Sequence, residues 1–208
     1  AVRRHPGVIA VVTAKDVPGH LDIGPVFPGD PVLAGDIVEF IGQPLFAVAA
    51  TSHEAARKAA KLANVQYEPL DAVITVNQAL DKELFVRPSQ TQLRGNPDHA
   101  LSQASHRLIG EQVVGGQEHF YLEGQACLAE PTEDRGMFVH TSSQHPSEVQ
   151  KLVAEVLGLP IHEVQTEVRR MGGGFGGKET QAAPVACIAA LLANATSRPV
   201  KYRLSRPD

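Results

Sequence analysis

The sequence predicts an α+β chain in two units, and three observations carry that expectation. Apolar runs and single helices follow one another in the coarse order βββαβ, linker, βββαβ, glycine loop, αβ. Val149, Leu152, Val153, Val156 and Leu157 form a stripe of helical spacing that starts behind Pro146 and stops at Gly158. Val164, Thr166 and Val168 alternate with Gln165, Glu167 and Arg169, a half-buried strand that runs into a glycine cluster and then into an Ala/Leu-rich helix, Ala182 to Ala195. No internal repeat of fixed period is present.

The first unit spans residues 1–80. Val8 to Val12 follows Pro6-Gly7 and reads as a strand, closed by the turn Ala14 to Gly19. Residues 20–35, rich in Gly, Pro and Asp, read as an irregular loop. Ile37, Val38, Phe40 and Ile41 predict a second strand and Leu45 to Ala50 a third, with Gly42-Gln43-Pro44 between them. Thr51 and Glu54 have capping-box spacing, so a helix follows. Ala55, Ala56, Ala59, Leu62 and Ala63 share one face, with Arg57, Lys58 and Lys61 as its solvated surface. Val65 to Tyr67 is a further short strand.

Residues 81–105 show little periodicity and read as a linker, and residues 106–208 form the second unit. Leu108 to Val114 is a strand candidate broken by Gly115-Gly116. Ala126 to Ala129 and Met137 to Thr141 flank a turn-rich stretch and predict a hairpin. Pro160 to Glu163 turns into the strand that feeds the glycines. Pro184 is compatible with the following helix only in its first turn. Val200 to Leu204 is a last strand, whose neighbours the chain need not supply. With no Met at the start and a stop at Ser205-Arg206-Pro207-Asp208, just after that strand, the sequence is expected to be a piece of a longer polypeptide.

Composition excludes several classes. A net charge of −4 gives no support for nucleic-acid binding. Two cysteines, Cys127 and Cys187, without a C-x-x-C argue against a disulfide framework and against zinc or iron–sulfur ligation. Both sit among apolar residues and read as buried thiols. No signal-peptide pattern and no apolar run of membrane-spanning length occurs, so no membrane partner is expected and a cytoplasmic location is the default. The nine histidines form no convincing ligand set with Cys or carboxylates.

The cluster Gly172-Gly173-Gly174-Phe175-Gly176-Gly177 is the chemically informative stretch. Glycine costs folding entropy at each position, so the run points to a close approach by something large and to bare N–H donors. Gly172, Gly174 and Gly177 satisfy a dinucleotide fingerprint, yet Ser197 and Arg198 stand where an acid is wanted and Asp208 is too distant. Gly172, Gly177 and Lys178 fit a P-loop, yet Glu179 replaces the hydroxyl that would hold Mg²⁺. A loop cradling another cofactor and a tight turn between strand and helix remain. Phe175 is suited to anchoring the loop in a core. Glu179 reads as the opening of a helix, favoured there by the dipole. Lys178 reads as a surface or structural ion pair rather than a catalytic group.

Arg170-Met171-Gly-Gly-Gly-Phe175-Gly-Gly-Lys178-Glu179-Thr180, with Gly115-Gly116-Gln117-Glu118-His119-Phe120-Tyr121-Leu122-Glu123 upstream, resembles the molybdenum-binding part of xanthine dehydrogenases in the molybdenum hydroxylase family. The runs Val38 to Leu45 and Val65 to Leu70 resemble that family's α/β hammerhead domain. The resemblance implies a small hammerhead-like domain followed by the start of a molybdopterin-binding α+β domain. It implies a molybdenum–molybdopterin cofactor held by the pterin's sulfurs, with FAD and [2Fe-2S] clusters on a partner subunit or domain. The reaction implied is hydroxylation of a ring carbon with water as oxygen source.

Residue by residue, the resemblance assigns Gln117 a hydrogen bond to an oxygen ligand of molybdenum. It places Phe175, with Gly174 and Gly176, beside the metal centre through the cofactor. Glu179 becomes a contact to a purine, because aldehyde oxidases usually carry an apolar residue there. The family's general base lies in a glycine-rich motif beyond Asp208, so no catalytic base is expected here, and the isolated chain is expected to be inactive. The rest of the molybdenum subunit is an implied partner. A non-catalytic assembly domain of the same fold is the rival reading; the joint presence of Gln117, Phe175 and Glu179 weighs against it.

Overall fold

The computed structural model describes residues 1–205; Arg206-Pro207-Asp208, which includes the distant acid weighed above, lies outside the described residues. In chain order the strands and α-helices are β1 (Val8–Thr13), β2 (Phe46–Ala50), α1 (His53–Ala60), α2 (Val76–Asp81), α3 (Pro97–Gln103), β3 (Ala126–Pro131), β4 (Met137–Thr141), α4 (Pro146–Leu157), β5 (Val164–Glu167), α5 (Ala182–Thr196) and β6 (Val200–Arg203). The chain divides into two units. One joins Ala1–Asn64 to the chain from Glu118 onward; the other is Val65–Gln117.

In the larger unit, β5, β4, β3 and β6 lie side by side in that order. The hairpin read from sequence is present, with β3 and β4 antiparallel and Cys127 opposite Thr141. β5 runs parallel to β4, Val164 opposite Met137, because α4 carries the chain back between them. β6 pairs antiparallel with β3, so the last strand does find its neighbour within the chain.

α5 is apolar all round and buried along most of its length, Ile188, Leu191 and Leu192 included. It packs against the sheet, α4 and the β1–β2 hairpin. Its many alanines let those elements approach closely, and Pro184 falls in its first turn, where no intrahelical N–H bond is lost. α4 buries the whole predicted stripe and ends on Gly158 at φ 67°, a left-handed cap suited to glycine. Helix ends leave carbonyls without intrahelical partners. Here Gly19 and His20 donate their N–H groups to the carbonyls of Val156 (2.9 Å) and Glu155 (2.8 Å). A Cβ on Gly19 would stand 2.0 Å from the Glu155 oxygen, so only glycine allows this docking.

Several expectations are corrected. Residues 37–41 are not a strand: Gln43 folds its side-chain oxygen back onto the Glu39 N–H (2.8 Å), closing a turn. Ser52, not Thr51, caps α1, accepting from Ala55 N–H at 3.1 Å. Thr51 instead donates its N–H to Gly7, and Glu54 pairs with Lys58 at 2.7 Å. Within 20–35, Asp22 organises the loop by accepting from the N–H groups of Gly24, Gly29 and Asp30.

In the smaller unit, Val65 to Tyr67 and Leu108 to Val114 form no strand. Two short helices lie where irregular chain was expected, α2 capped by Thr75 and α3 by Asn96 with Pro97 at its first position. No residue from 65 to 117 is buried. Among the described residues no helix is long and apolar enough to cross a membrane.

Candidate functional site

Three segments of the larger unit meet at the glycine cluster: residues 119–125 before β3, residues 142–144 after β4, and the loop between β5 and α5. Each glycine there has a local cause. A Cβ on Gly172 would lie 2.5 Å from Glu123 Cβ, one on Gly174 2.5 Å from Gln144 Oε1, and one on Gly177 2.7 Å from Tyr121 Cε1 and 2.9 Å from His119 Cγ. Gly173 and Gly176 adopt φ of 96° and 94°. The close approach expected from the run of glycines is therefore made, in this structure, by the chain's own upstream motif and by Gln144.

The loop closes as a turn, Gly177 N–H donating to the Gly174 carbonyl at 2.7 Å. Both central residues are left-handed, and one of them is Phe175 at φ 52°. For an aromatic residue that conformation costs on the order of 1–2 kcal/mol. The Phe175 ring is not a core anchor as expected: the residue is 76% exposed, with its ring edge against Gly173.

Side chains tie the loop down. Gln144 Oε1 accepts from the N–H groups of Gly176 (2.9 Å) and Lys178 (3.2 Å). The backbone N–H of Gln144 and the Ser143 hydroxyl both donate to the Lys178 carbonyl. Gln125 donates to the Gly177 carbonyl (3.1 Å) and to the Tyr121 hydroxyl (2.9 Å). Lys178 is 0% exposed, so the surface half of its reading fails and the ion-pair half holds. Its ammonium lies 3.0 Å from the Glu123 carboxylate, donates to Ser142 Oγ at 2.8 Å, and sits 4.7 Å from the Tyr121 ring centre.

Glu123 gathers the network at one oxygen, accepting from the Gly172 N–H (2.8 Å), the Lys178 ammonium and the Ser142 hydroxyl. Burial raises its pKa, but the bonds from Ser142, Gly172 and Lys178 outweigh it and hold the carboxyl at about 2. Burial pushes the Cys127 thiol up to about 12 and the Cys187 thiol higher still, so both are inert.

Of the residues singled out in the sequence, Gly174, Phe175, Gly176 and Glu179 share this loop. Glu179 does not open the helix: it is exposed and stands three residues before Ala182, the first residue of α5. Gln117 is exposed and closes the smaller unit. His140 is held between Glu130 (3.4 Å) and Glu167 (2.9 Å) on adjacent strands. No group of His, Cys, Asp and Glu among the described residues is arranged to hold a metal ion.

Sequence reasoning missed Gln144, Ser142 and Gln125. The pairing of Glu123 with Lys178 had one available signal, two opposite charges in the two quoted motifs; nothing in Ser142-Ser143-Gln144 marks it out.

A glycine loop between strand and helix, tied down by side chains from two other segments and leaving amides free, defines the class only as far as an α+β domain with a donor-rich loop. Residues 80–208 match the molybdopterin cofactor-binding domain family, and residues 1–71 match the aldehyde oxidase and xanthine dehydrogenase a/b hammerhead domain. The chain belongs to the molybdenum hydroxylase family, that of the xanthine dehydrogenases and aldehyde oxidases.

It is 38% identical over 204 residues to a xanthine dehydrogenase/oxidase of Gallus gallus, covering 98% of this chain and 15% of that protein. It is 40% identical over 205 residues to aldehyde oxidase 4 of Cavia porcellus, with the same coverage of 98% and 15%. Its fold superposes on the aldehyde oxidoreductase of Desulfovibrio gigas with a TM-score of 0.83 at 26% identity, covering 98% of this chain and 24% of that one. The chain thus spans about one-seventh of the length of the curated relatives it matches.

The residues present fit the family's cofactor. The N–H groups of Gly173, Gly174 and Phe175 find no acceptor among the described residues, and such consecutive neutral donors suit anionic oxygen.

Proposed function

We propose that this chain is part of the molybdenum subunit of a xanthine dehydrogenase that hydroxylates hypoxanthine and xanthine with water as oxygen source. The observation that carries the reading is Glu179. It is an exposed carboxylate directly after Lys178, whose own N–H and carbonyl are pinned by Gln144, so its backbone is fixed in the same loop as the three free amides. When bound, molybdenum–molybdopterin supplies the two-electron oxidation. In this proposal Gly174, Phe175 and Gly176 present backbone to the cofactor, and Gln117 donates its amide to an oxygen of the metal centre. Glu179 hydrogen-bonds the purine and, when protonated, donates to the ring nitrogen or oxygen on which negative charge builds.

FAD and [2Fe-2S] clusters on a partner subunit or domain, the rest of the molybdenum subunit, a cytoplasmic location, a role in purine catabolism, and the division at 1–80, 81–105 and 106–208 belong to the same proposal. The second reading is an aldehyde oxidase-type hydroxylase, favoured by the 40% identity to the Cavia porcellus enzyme. The test is Glu179→Val in the full-length enzyme. Under the xanthine reading kcat/KM for hypoxanthine falls at least about 100-fold, ~2.7 kcal/mol of transition-state binding, while an aldehyde is unaffected or improved. Equal loss on both substrates, or none on the purine, overturns it. The purified chain by itself is expected to carry no molybdenum; a stoichiometric metal content would refute that expectation.

A further inference from the structure

We infer that Glu123 and Lys178 act together as a clamp that positions the glycine loop for cofactor retention, an inference that rests on the molybdenum reading above. The loop from Gly172 to Lys178 carries the free amides at 173, 174 and 175. Its two ends converge on one carboxylate oxygen: the Gly172 N–H reaches Glu123 at 2.8 Å and the Lys178 ammonium at 3.0 Å. The tie is reciprocal at the first end, where Glu123 N–H donates to the Gly172 carbonyl at 3.3 Å.

A loop of five glycines has little backbone preference of its own, and one residue within it, Phe175, is held at positive φ. Something outside must over-determine it. The ion pair does so with a lysine that is 0% exposed. An unpaired ammonium in that position would be strongly disfavoured, so Lys178 stays buried there only while Glu123 pairs it, and the ring of Tyr121 and the hydroxyl of Ser142 narrow the geometry further. Glu179 follows Lys178 in the chain, so the same clamp sets where the substrate-facing carboxylate begins. Neither Glu123 nor Lys178 is assigned a contact with cofactor or substrate: both are positioning residues.

The experiment uses the full-length holoenzyme with its partner subunits or domains. Wild type, Glu123→Gln, Lys178→Met, the double variant and Ser142→Ala are compared by Tm and by the rate of molybdenum loss on dialysis, with flavin content as the internal control. Glu123→Gln strands the buried lysine and Lys178→Met leaves the half-exposed carboxylate without its cation, so in both Tm falls, more in the first, and molybdenum leaves faster. The double variant removes both charges; its Tm recovers, but molybdenum still leaves at least about tenfold faster than from wild type, with flavin retained.

Recovery of wild-type release together with Tm shows a merely structural pair and overturns the clamp. Ser142→Ala keeps the direct pair and loses its bridge. If the charge variants do not fold it decides alone: release about two- to fivefold faster at unchanged Tm supports the clamp, and a wild-type rate overturns it. A wild-type preparation that never holds molybdenum overturns the functional reading itself, which separates that failure from failure of the clamp.

Discussion

Leu108, Ile109, Val113 and Val114 in the smaller unit and Val164, Thr166 and Val168 in the larger one are both strand-like runs, yet their fates differ. β5 lies beside β4 and buries Val164 under α4, whereas the run from 108 to 114 forms no ladder and Leu108 is 100% exposed. Apolar periodicity reports that a face needs covering; it does not report what covers it. The larger unit meets that need internally, with α5 at its centre. The smaller unit has two short capped helices and no buried residue, so nothing within it offsets the entropy of ordering its chain.

The largest expected effect is on local opening. Amides of α5 should exchange at least about 1,000-fold more slowly than those of residues 104–117, a gap of ~4 kcal/mol readable by hydrogen-exchange mass spectrometry. Equal protection in the two regions would break the comparison. Core substitutions come next. Leu192→Ala should lower stability by about 2–4 kcal/mol in urea titration, while Leu108→Ala should stay within about 0.5 kcal/mol.

The smallest effect sharpens the larger unit alone. Glu123 is held at about 2 against an ordinary 4.5, so its contribution is complete above pH 4.5 and is lost as pH falls towards 2. With the side chain 42% exposed, solvent screening limits this to under ~1 kcal/mol. The stability gap between wild type and Glu123→Gln should be constant down to about pH 4.5 and narrow below it. A gap unchanged down to about pH 2.5 would show that the carboxylate is not what matters.

Much of the larger unit was legible because its signals are local. Pro146 and Gly158 bracket α4, the turn-rich stretch after Pro131 joins β3 to β4, and the alanines of α5 admit close packing on every side. The misread strands at 37–41, 65–67 and 108–114 share one cause: a strand exists only with a partner, and no partner is written in the run itself. The cap of α1 moved by one residue because Thr51 and Ser52 are chemically alike and the backbone bond to Gly7 claimed Thr51. At the site, the two motifs and their order were readable. What they do to each other was not, since the lysine and its carboxylate are 55 residues apart and Gln144 enters from a third segment.

The docking of Gly19 and His20 on the end of α4, with β1 and β2 against α5, has a consequence for biosynthesis. The first 64 residues complete their packing only against chain that ends with α5 at Thr196. At roughly 5–20 residues per second, the ribosome delivers that helix on the order of ten seconds after the hairpin. During that interval the apolar side of β1 and β2, with Val12, Ala47 and Ala49, stays without its cover, which makes the nascent segment 1–64 a natural client for chaperones.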